Sequence, residues 1–465
     1  MASPEPARSE RAPPRAPAHT ELVVPALSTS AGIAYASGAI GMSLFPNFLA
    51  SWQLYYFAPP ADTGRIVYAS VIAISIVNLV GQLAHALADG YIGHASDRTR
   101  SRWGRRLPWI AVSSPICALA FIAIWWPPSA GTSWVNVAWL VALRAIMWFA
   151  YTGVYGPYSA LLAEITRGRM RIRISVFMAL FEVFGIVLAT SVAGSIIEGA
   201  HDGLRVGPLF LSDGFKVAAI VTSLFALAGI GSALFAVTET PHHPSKEVPF
   251  TLLQAVRQTF RNPAFVWYAV AFVAFRVSLA AVITMIPYQV SVVMGLDRAE
   301  GIAGSLQTVV VLGAVLFFPL VDRLARRYGK KRIMLSGFVG FSLVMMASAL
   351  VGRLGYASTL VQAYAIYALS TFPVATLLVL SRPILADVID HDQTLTGYRR
   401  EGIYQGVEGL VLKLAEGVGP VVAAGMFAWL GSTRAAPLGV MLTGPVAGLL
   451  CLVGWAFFRK YPLSA

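Results

Sequence analysis

Runs of about twenty apolar residues, separated by short charged clusters, recur along the entire chain, and each is long enough to cross a hydrocarbon layer about 30 Å thick as a helix. Twelve can be counted, at 30–57, 66–94, 107–127, 134–160, 174–197, 217–237, 264–290, 301–321, 333–351, 356–385, 402–430 and 438–458. A helix satisfies its own backbone hydrogen bonds in lipid, so the pattern predicts an all-α membrane protein with twelve transmembrane helices. With 57% of its 465 residues apolar and 12% charged, the chain has far more apolar side chains than a soluble core can take. That excludes a soluble enzyme, a disulfide scaffold and a disordered protein. A transmembrane β-barrel is excluded too, because its strands alternate apolar with polar residues.

The 35 Lys and Arg against 22 Asp and Glu would suggest nucleic acid in a soluble chain. Their placement argues for membrane lipids instead, with no nucleic-acid partner. The N-terminal tail, alternate loops and the C-terminus hold 25, the opposite loops hold six, and four (Arg144, Arg276, Arg382 and Lys413) fall inside spans. Basic loops stay in the cytoplasm, so both termini are expected there, in a multi-pass protein of the cell inner membrane. Residues 1–21 are Pro- and Ala-rich, charged and without an apolar segment, which reads as a disordered cytoplasmic tail and not a cleaved signal. Cys117 and Cys451 lie within spans and are expected to be packed thiols, with no metal site and no disulfide framework.

Asp97-Arg98-Thr99-Arg100-Ser101-Arg102-Trp103-Gly104-Arg105-Arg106 follows span two, and Asp322-Arg323-Leu324-Ala325-Arg326-Arg327-Tyr328-Gly329-Lys330-Lys331 follows span eight, at a constant offset of 225 residues. Positive-inside bias specifies no aromatic-Gly step, so the match marks an internal repeat. Two pseudo-symmetric six-helix bundles follow, at 22–237 and 264–465. They are joined by a linker, 238–263, with Pro241, Pro244, Pro249 and an amphipathic stretch expected on the cytoplasmic surface. This is the layout of the major facilitator superfamily, in which a solute site forms between the halves and access alternates by rocking. The repeated motifs then read as gates: Asp97 and Asp322 pair with basic groups or cap a helix end in one rocked state, with Arg98, Arg102, Gly104, Arg105, Arg323 and Gly329 around them. Anchoring to anionic headgroups is an equal alternative for the basic run.

Asp89-Gly90-Tyr91-Ile92-Gly93, followed by Ser96 to Trp109, resembles the helix-two signature of the glycoside-pentoside-hexuronide:cation symporters, the melibiose permease-like family. Pro157 to Glu164, Leu385 to Asp390, Arg399 to Gly402 and Lys413-Leu414 are similar to that family's loop four-five and helix ten-eleven patterns, and they add Asp387 and Arg400 to the gating set. The resemblance implies a cation-coupled secondary active symporter of a small organic solute, sugar or glycoside by class. It also implies that Asp89 is one of the family's two cation-binding acids, with Gly90 in place of a proline. The other acid falls on His85, one turn earlier on the same helix face. An imidazole beside a carboxylate suits a proton, so H⁺ coupling is favoured over Na⁺, with no cofactor beyond the ion.

The family's two sugar-binding acids align with Ser43 and Tyr155, and an arginine usual early in helix five falls on Met178, with Glu182 one turn later. The substrate candidates are therefore Ser43, Trp52, Tyr151, Tyr155, Glu182, Arg276 and Lys413. Lys413 could instead pair with Asp89, Glu408 or Glu416, and Arg276 with either glutamate. Arg144 and Arg382 read as helix-to-helix ties, Arg382 near enough to the interface to snorkel. Loss of the acids opens a second reading, a carrier for an amphiphilic or hydrophobic organic anion such as a lysolipid. A third, from another class, is a non-transporting sensor or scaffold. No HExxH, Gly-x-Ser-x-Gly or phosphate loop suggests an enzyme. A monomer is expected.

Overall fold

The computed structural model describes residues 28–166, 168–206, 209–211, 213–239, 252–355, 358–397 and 400–463. The expected tail lies outside them, as does most of the linker; the part of the amphipathic stretch that is described forms a short helix, Leu252–Thr259.

Twelve helices are long and apolar enough to cross a membrane: Thr29–Phe57, Val71–Arg98, Leu107–Ile124, Trp134–Leu162, Gly168–Gly199, Gly214–Ala236, Pro263–Val293, Glu300–Tyr328, Lys330–Leu350, Thr359–Thr396, Glu401–Leu430 and Leu438–Phe458. They are called spans one to twelve below. Ser70, Ser133, Asp213, Asn262 and Ser358 start spans two, four, six, seven and ten, each side chain accepting a backbone N–H of the first turn. A hydropathy count stops at the first charged cluster, whereas a helix continues into water. Span ten thus runs 38 residues, about 57 Å at the helical rise, well beyond the hydrocarbon layer. For the same reason the second motif is mostly not a loop: Asp322 to Tyr328 completes span eight, and the chain turns at Gly329.

Within each half, spans meet through small residues. A methyl group added at Gly41 would strike the Ala226 carbonyl and Ile230, and one at Gly419 would strike Val277 and Ala280. Without a hydrophobic drive between helices in lipid, such close backbone approach is what holds a bundle together. Cys117 and Cys451 are free, buried thiols.

The two halves meet tightly at the end away from the repeated motifs. Tyr288 of span seven donates to the carbonyls of Ala58 (2.6 Å) and Leu54 (3.2 Å), and Ser51 donates to Gln307 Oε1 at 2.7 Å. Spans five and eight touch backbone to backbone, since a Cβ at Gly194 would run into Glu300 and one at Gly304 into Thr190. Span five makes a π-helical turn, Leu188–Val192, at this contact.

Arg65, from the loop after span one, reaches over this seal. Its guanidinium lies 2.5 Å from the fully buried Glu300 carboxylate of the second half, 2.9 Å from His201 Nδ1, and 5.2 Å from the Phe215 ring centroid. Asp213 sits nearby, and burial pushes its carboxyl above the ordinary range despite the Phe215 N–H and the Arg65 charge.

Candidate functional site: an inter-half charge network and a polar pocket

Asp89 lies on span two of the first half and Lys413 on span eleven of the second, and the Lys413 ammonium donates to the Asp89 carboxylate. The two helices can bring them together because Gly417, one turn on from Lys413, leaves room for the backbone of Leu79. Thr152 Oγ1 adds a long contact to Asp89 at 3.4 Å. The Asp89 side chain keeps 43% of its surface accessible, against 18% for Lys413. The carboxylate is paired yet reachable by a proton.

His85, one turn before Asp89, stacks on Trp148 with ring centroids 4.3 Å apart and meets Tyr151 edge-on at 5.5 Å. Its Nδ1 faces Gln82 at 3.4 Å, and its Nε2 is 4.0 Å from Asp89 with no hydrogen-bond partner. The imidazole therefore adjoins the acid without bonding it. Beneath it Arg144 donates to Gln53 at 2.5 Å, a tie between spans four and one.

The substrate candidates divide by environment. Ser43 donates to the carbonyls of Ile40 (3.1 Å) and Ala39 (3.3 Å) and packs where Gly185 of span five comes close. Trp52 is fully buried, its indole N–H donating to the Ala189 carbonyl at 2.9 Å. Tyr151 is buried and donates to the Met42 carbonyl at 2.7 Å. Tyr155 is 44% exposed and stacks on Tyr151 at 5.8 Å, and Glu182 is exposed beside it. Across from them, the Arg382 charge acts on both Tyr155 and Glu182.

Arg382 itself lines a pocket of about 130 Å³ with Phe272, Arg276, Ser381, Glu408 and Leu412. The sequence suggests Arg382 as a snorkelling tie and Glu408 or Glu416 as a partner for Arg276 or Lys413. Glu408 accepts the Tyr268 hydroxyl, and Arg276 bonds Glu416 at 3.0 Å, one of the two pairings expected for it. The missed signal was three charged residues, Arg276, Arg382 and Glu408, one on each of three spans that meet at the pocket.

The motifs repeat in three dimensions. Gly104 and Gly329 both take positive φ, +98° and +87°. The next basic residue in each half reaches an acid on that half's fourth helix: Arg105 bonds Glu164 in the last turn and Lys330 bonds Asp387, farther from the helix end, both at 2.6 Å. The second basic residue meets the chain leaving that half's sixth helix. Arg106 N–H bonds Glu239 at 2.8 Å, and Lys331 donates to the Tyr461 carbonyl at 2.5 Å.

Of the other gating candidates, Asp97 pairs with Arg106 at 2.5 Å and Asp322 with Arg326 in its own helix. Arg102 lies 5.9 Å over the Trp103 ring, and Arg98 and Arg323 sit at the ends of spans two and eight. Arg400 holds Asp392 at 2.6 and 2.9 Å, and this bond raises the guanidinium above its ordinary value. The ion pairs named here each stay within one half, whereas Asp89–Lys413 and Arg65–Glu300 join the two.

Twelve spans in two repeated bundles, with charged groups meeting between them, define a major-facilitator-type membrane transporter fold. Solved structures of that fold agree: the nucleoside transporter NupG covers 94% of this chain and all of its own at 13% identity and a TM-score of 0.63, and a proton dependent oligopeptide transporter reaches 0.67 at 10% identity, covering 93% of this chain and 98% of its own. The description MFS/sugar transport protein matches residues 34–463, and the chain belongs to that family.

Among relatives, the lactose permease of Lactobacillus delbrueckii subsp. bulgaricus is 24% identical over 92% of this chain. The sodium-dependent lysophosphatidylcholine symporter 1 of Xenopus tropicalis is 25% identical over 85% of this chain and 80% of its own length. An uncharacterized symporter of Synechocystis sp. is 31% identical over 37% of this chain. The match spans 66% of the lactose permease and 31% of the Synechocystis protein.

Proposed function

We propose that the chain is a proton-coupled symporter of a sugar or glycoside, working in a cell inner membrane with both termini in the cytoplasm. The observation that carries this reading is the bond from Lys413 to Asp89 across the two halves. A proton on Asp89 neutralises the carboxylate, frees the ammonium and removes an electrostatic tie between the bundles, so proton binding and rocking become one event. A sodium ion at the same place would enter beside a fixed ammonium, which is unfavourable at such short range. His85 adjoins the acid at 4.0 Å without bonding it, and the greater exposure of Asp89 makes the carboxylate the group that takes the proton. The repeated Gly-basic motifs brace each half as a rigid body, and Arg65–Glu300 closes the end away from them.

The test is uptake into vesicles under an imposed pH gradient. Asp89→Asn removes the titration and is expected to abolish accumulation against a gradient while downhill exchange continues; concentrative uptake by that variant refutes the assignment.

A second reading, transport of an amphiphilic anion, is supported by the lysophosphatidylcholine symporter among the relatives. Competition between lactose and a lysophosphatidylcholine for uptake separates the two.

A further inference from the structure

The first-half positions that align with sugar-binding acids hold Ser43 and Tyr155, and Ser43 spends its hydroxyl on its own helix. The second half, in contrast, presents the pocket formed by Arg276, Ser381, Arg382 and Glu408. We propose that this pocket grips the hydroxyl groups of a neutral polyhydroxylated ring, so that sugar recognition rests on spans seven, ten and eleven. The inference rests on the symport reading and adds the location and the chemistry of the solute site.

Donor and acceptor supply is the first argument. A sugar hydroxyl both donates and accepts, and a vicinal pair of hydroxyls matches a carboxylate or a guanidinium fork. Arg276 and Arg382 provide forks, Glu408 provides acceptor oxygens and Ser381 does either. These groups are held in place before any solute arrives, Glu408 by the Tyr268 hydroxyl and Arg276 by Glu416.

Charge balance decides the class. Two guanidiniums and the Glu408 carboxylate line the pocket, the Arg276 guanidinium is already bonded to Glu416 outside that lining, and Glu182 adds a further acid that feels the Arg382 charge. An anionic headgroup entering there meets no surplus of positive charge, and an acyl chain would bury charged walls without partners. Lys413 offers no remedy, because it does not line the pocket. A neutral polyol leaves the balance untouched and satisfies both signs.

Size fits an edge of a ring. About 130 Å³ is the room of roughly four waters at about 30 Å³ each, enough for two hydroxymethine groups. The rest of the ring would extend toward the exposed Tyr155, whose face suits the apolar side of a pyranose.

The experiment measures binding to the purified full chain in lipid nanodiscs, without any ion gradient, by thermal shift and equilibrium binding. The probes are lactose, raffinose, a lysophosphatidylcholine and benzoate. At least one of the two sugars is expected to stabilise the protein, with affinity lowered about tenfold or more in Glu408→Gln and in Arg382→Gln. Tyr268→Phe keeps the Glu408 carboxylate while removing its strut, and is expected to weaken sugar binding by about threefold, less than Glu408→Gln does. The proposal is overturned if neither sugar binds, if both pocket variants bind as well as the parent, if Tyr268→Phe loses as much as Glu408→Gln, or if Arg382→Gln abolishes binding of either charged probe. Because no gradient is present, these results are independent of the Asp89 uptake test: intact binding without concentrative uptake faults the coupling reading, and the converse faults the pocket.

Discussion

Lys413 on span eleven donates to Asp89 on span two, so one hydrogen bond joins the two halves and an ionisable acid at the same atom. Removing the ammonium takes away the electrostatic tie between the bundles whether or not the acid carries a proton. Lys413→Gln is expected to lower concentrative uptake in vesicles about tenfold while downhill exchange continues. Unchanged concentrative uptake contradicts the role given to the pair.

Glu300 is fully buried and has Arg65 as its cation. Taking away one member of a buried pair costs about 3–5 kcal/mol in the state that buries it, because the survivor is left uncompensated. Arg65→Gln should therefore weaken the sealed arrangement and populate the oppositely open one. With Ser51, buried at the seal, replaced by cysteine, alkylation by a membrane-impermeant maleimide is expected to rise at least about tenfold on adding Arg65→Gln. The native thiols, both buried, keep the background low.

Gly304 leaves no room for a side chain against Thr190. Gly304→Val cannot close the seal without displacing backbone, so the same Ser51→Cys reporter should label fast even with Arg65 present. Double electron-electron resonance between labels on spans five and eight should show the far end wider in this variant. An unchanged distance would mean that the close approach is not what shuts it.

Both motif glycines hold positive φ, where a Cβ costs about 1–2 kcal/mol, and a Cβ at Gly104 would also collide with the Glu239 side chain. Gly104→Ala is expected to lower the melting temperature less in a Glu239→Ala background than in the parent, read by scanning fluorimetry on purified protein. Equal losses would remove Glu239 from the account.

The spans were legible because lipid leaves a chain few options, and the repeat because glycine and charge at fixed offset mark both halves. Asp89 was legible as an acid set among apolar residues, and Lys413 as one of its candidate partners. The Arg65–Glu300 bond was not, since Glu300 reads as a loop-end charge until helix packing buries it. Nor did spacing separate Trp52 and Ser43, which serve helix contacts, from Tyr155, which faces open space: a helix covered on several sides gives no periodic signal for which side is wet. Arg382 was assigned by its distance from the span end, whereas its neighbours across the crevice determine what it touches.

Gly194 and Gly304 set main chain against main chain, with no flexible side chain between the halves at that point. Dispersion attraction at such a contact falls away within an ångström of separation, so the closure acts like a snap fastener. Intermediate, half-parted geometries gain little from it, which disfavours a continuous water thread through the molecule.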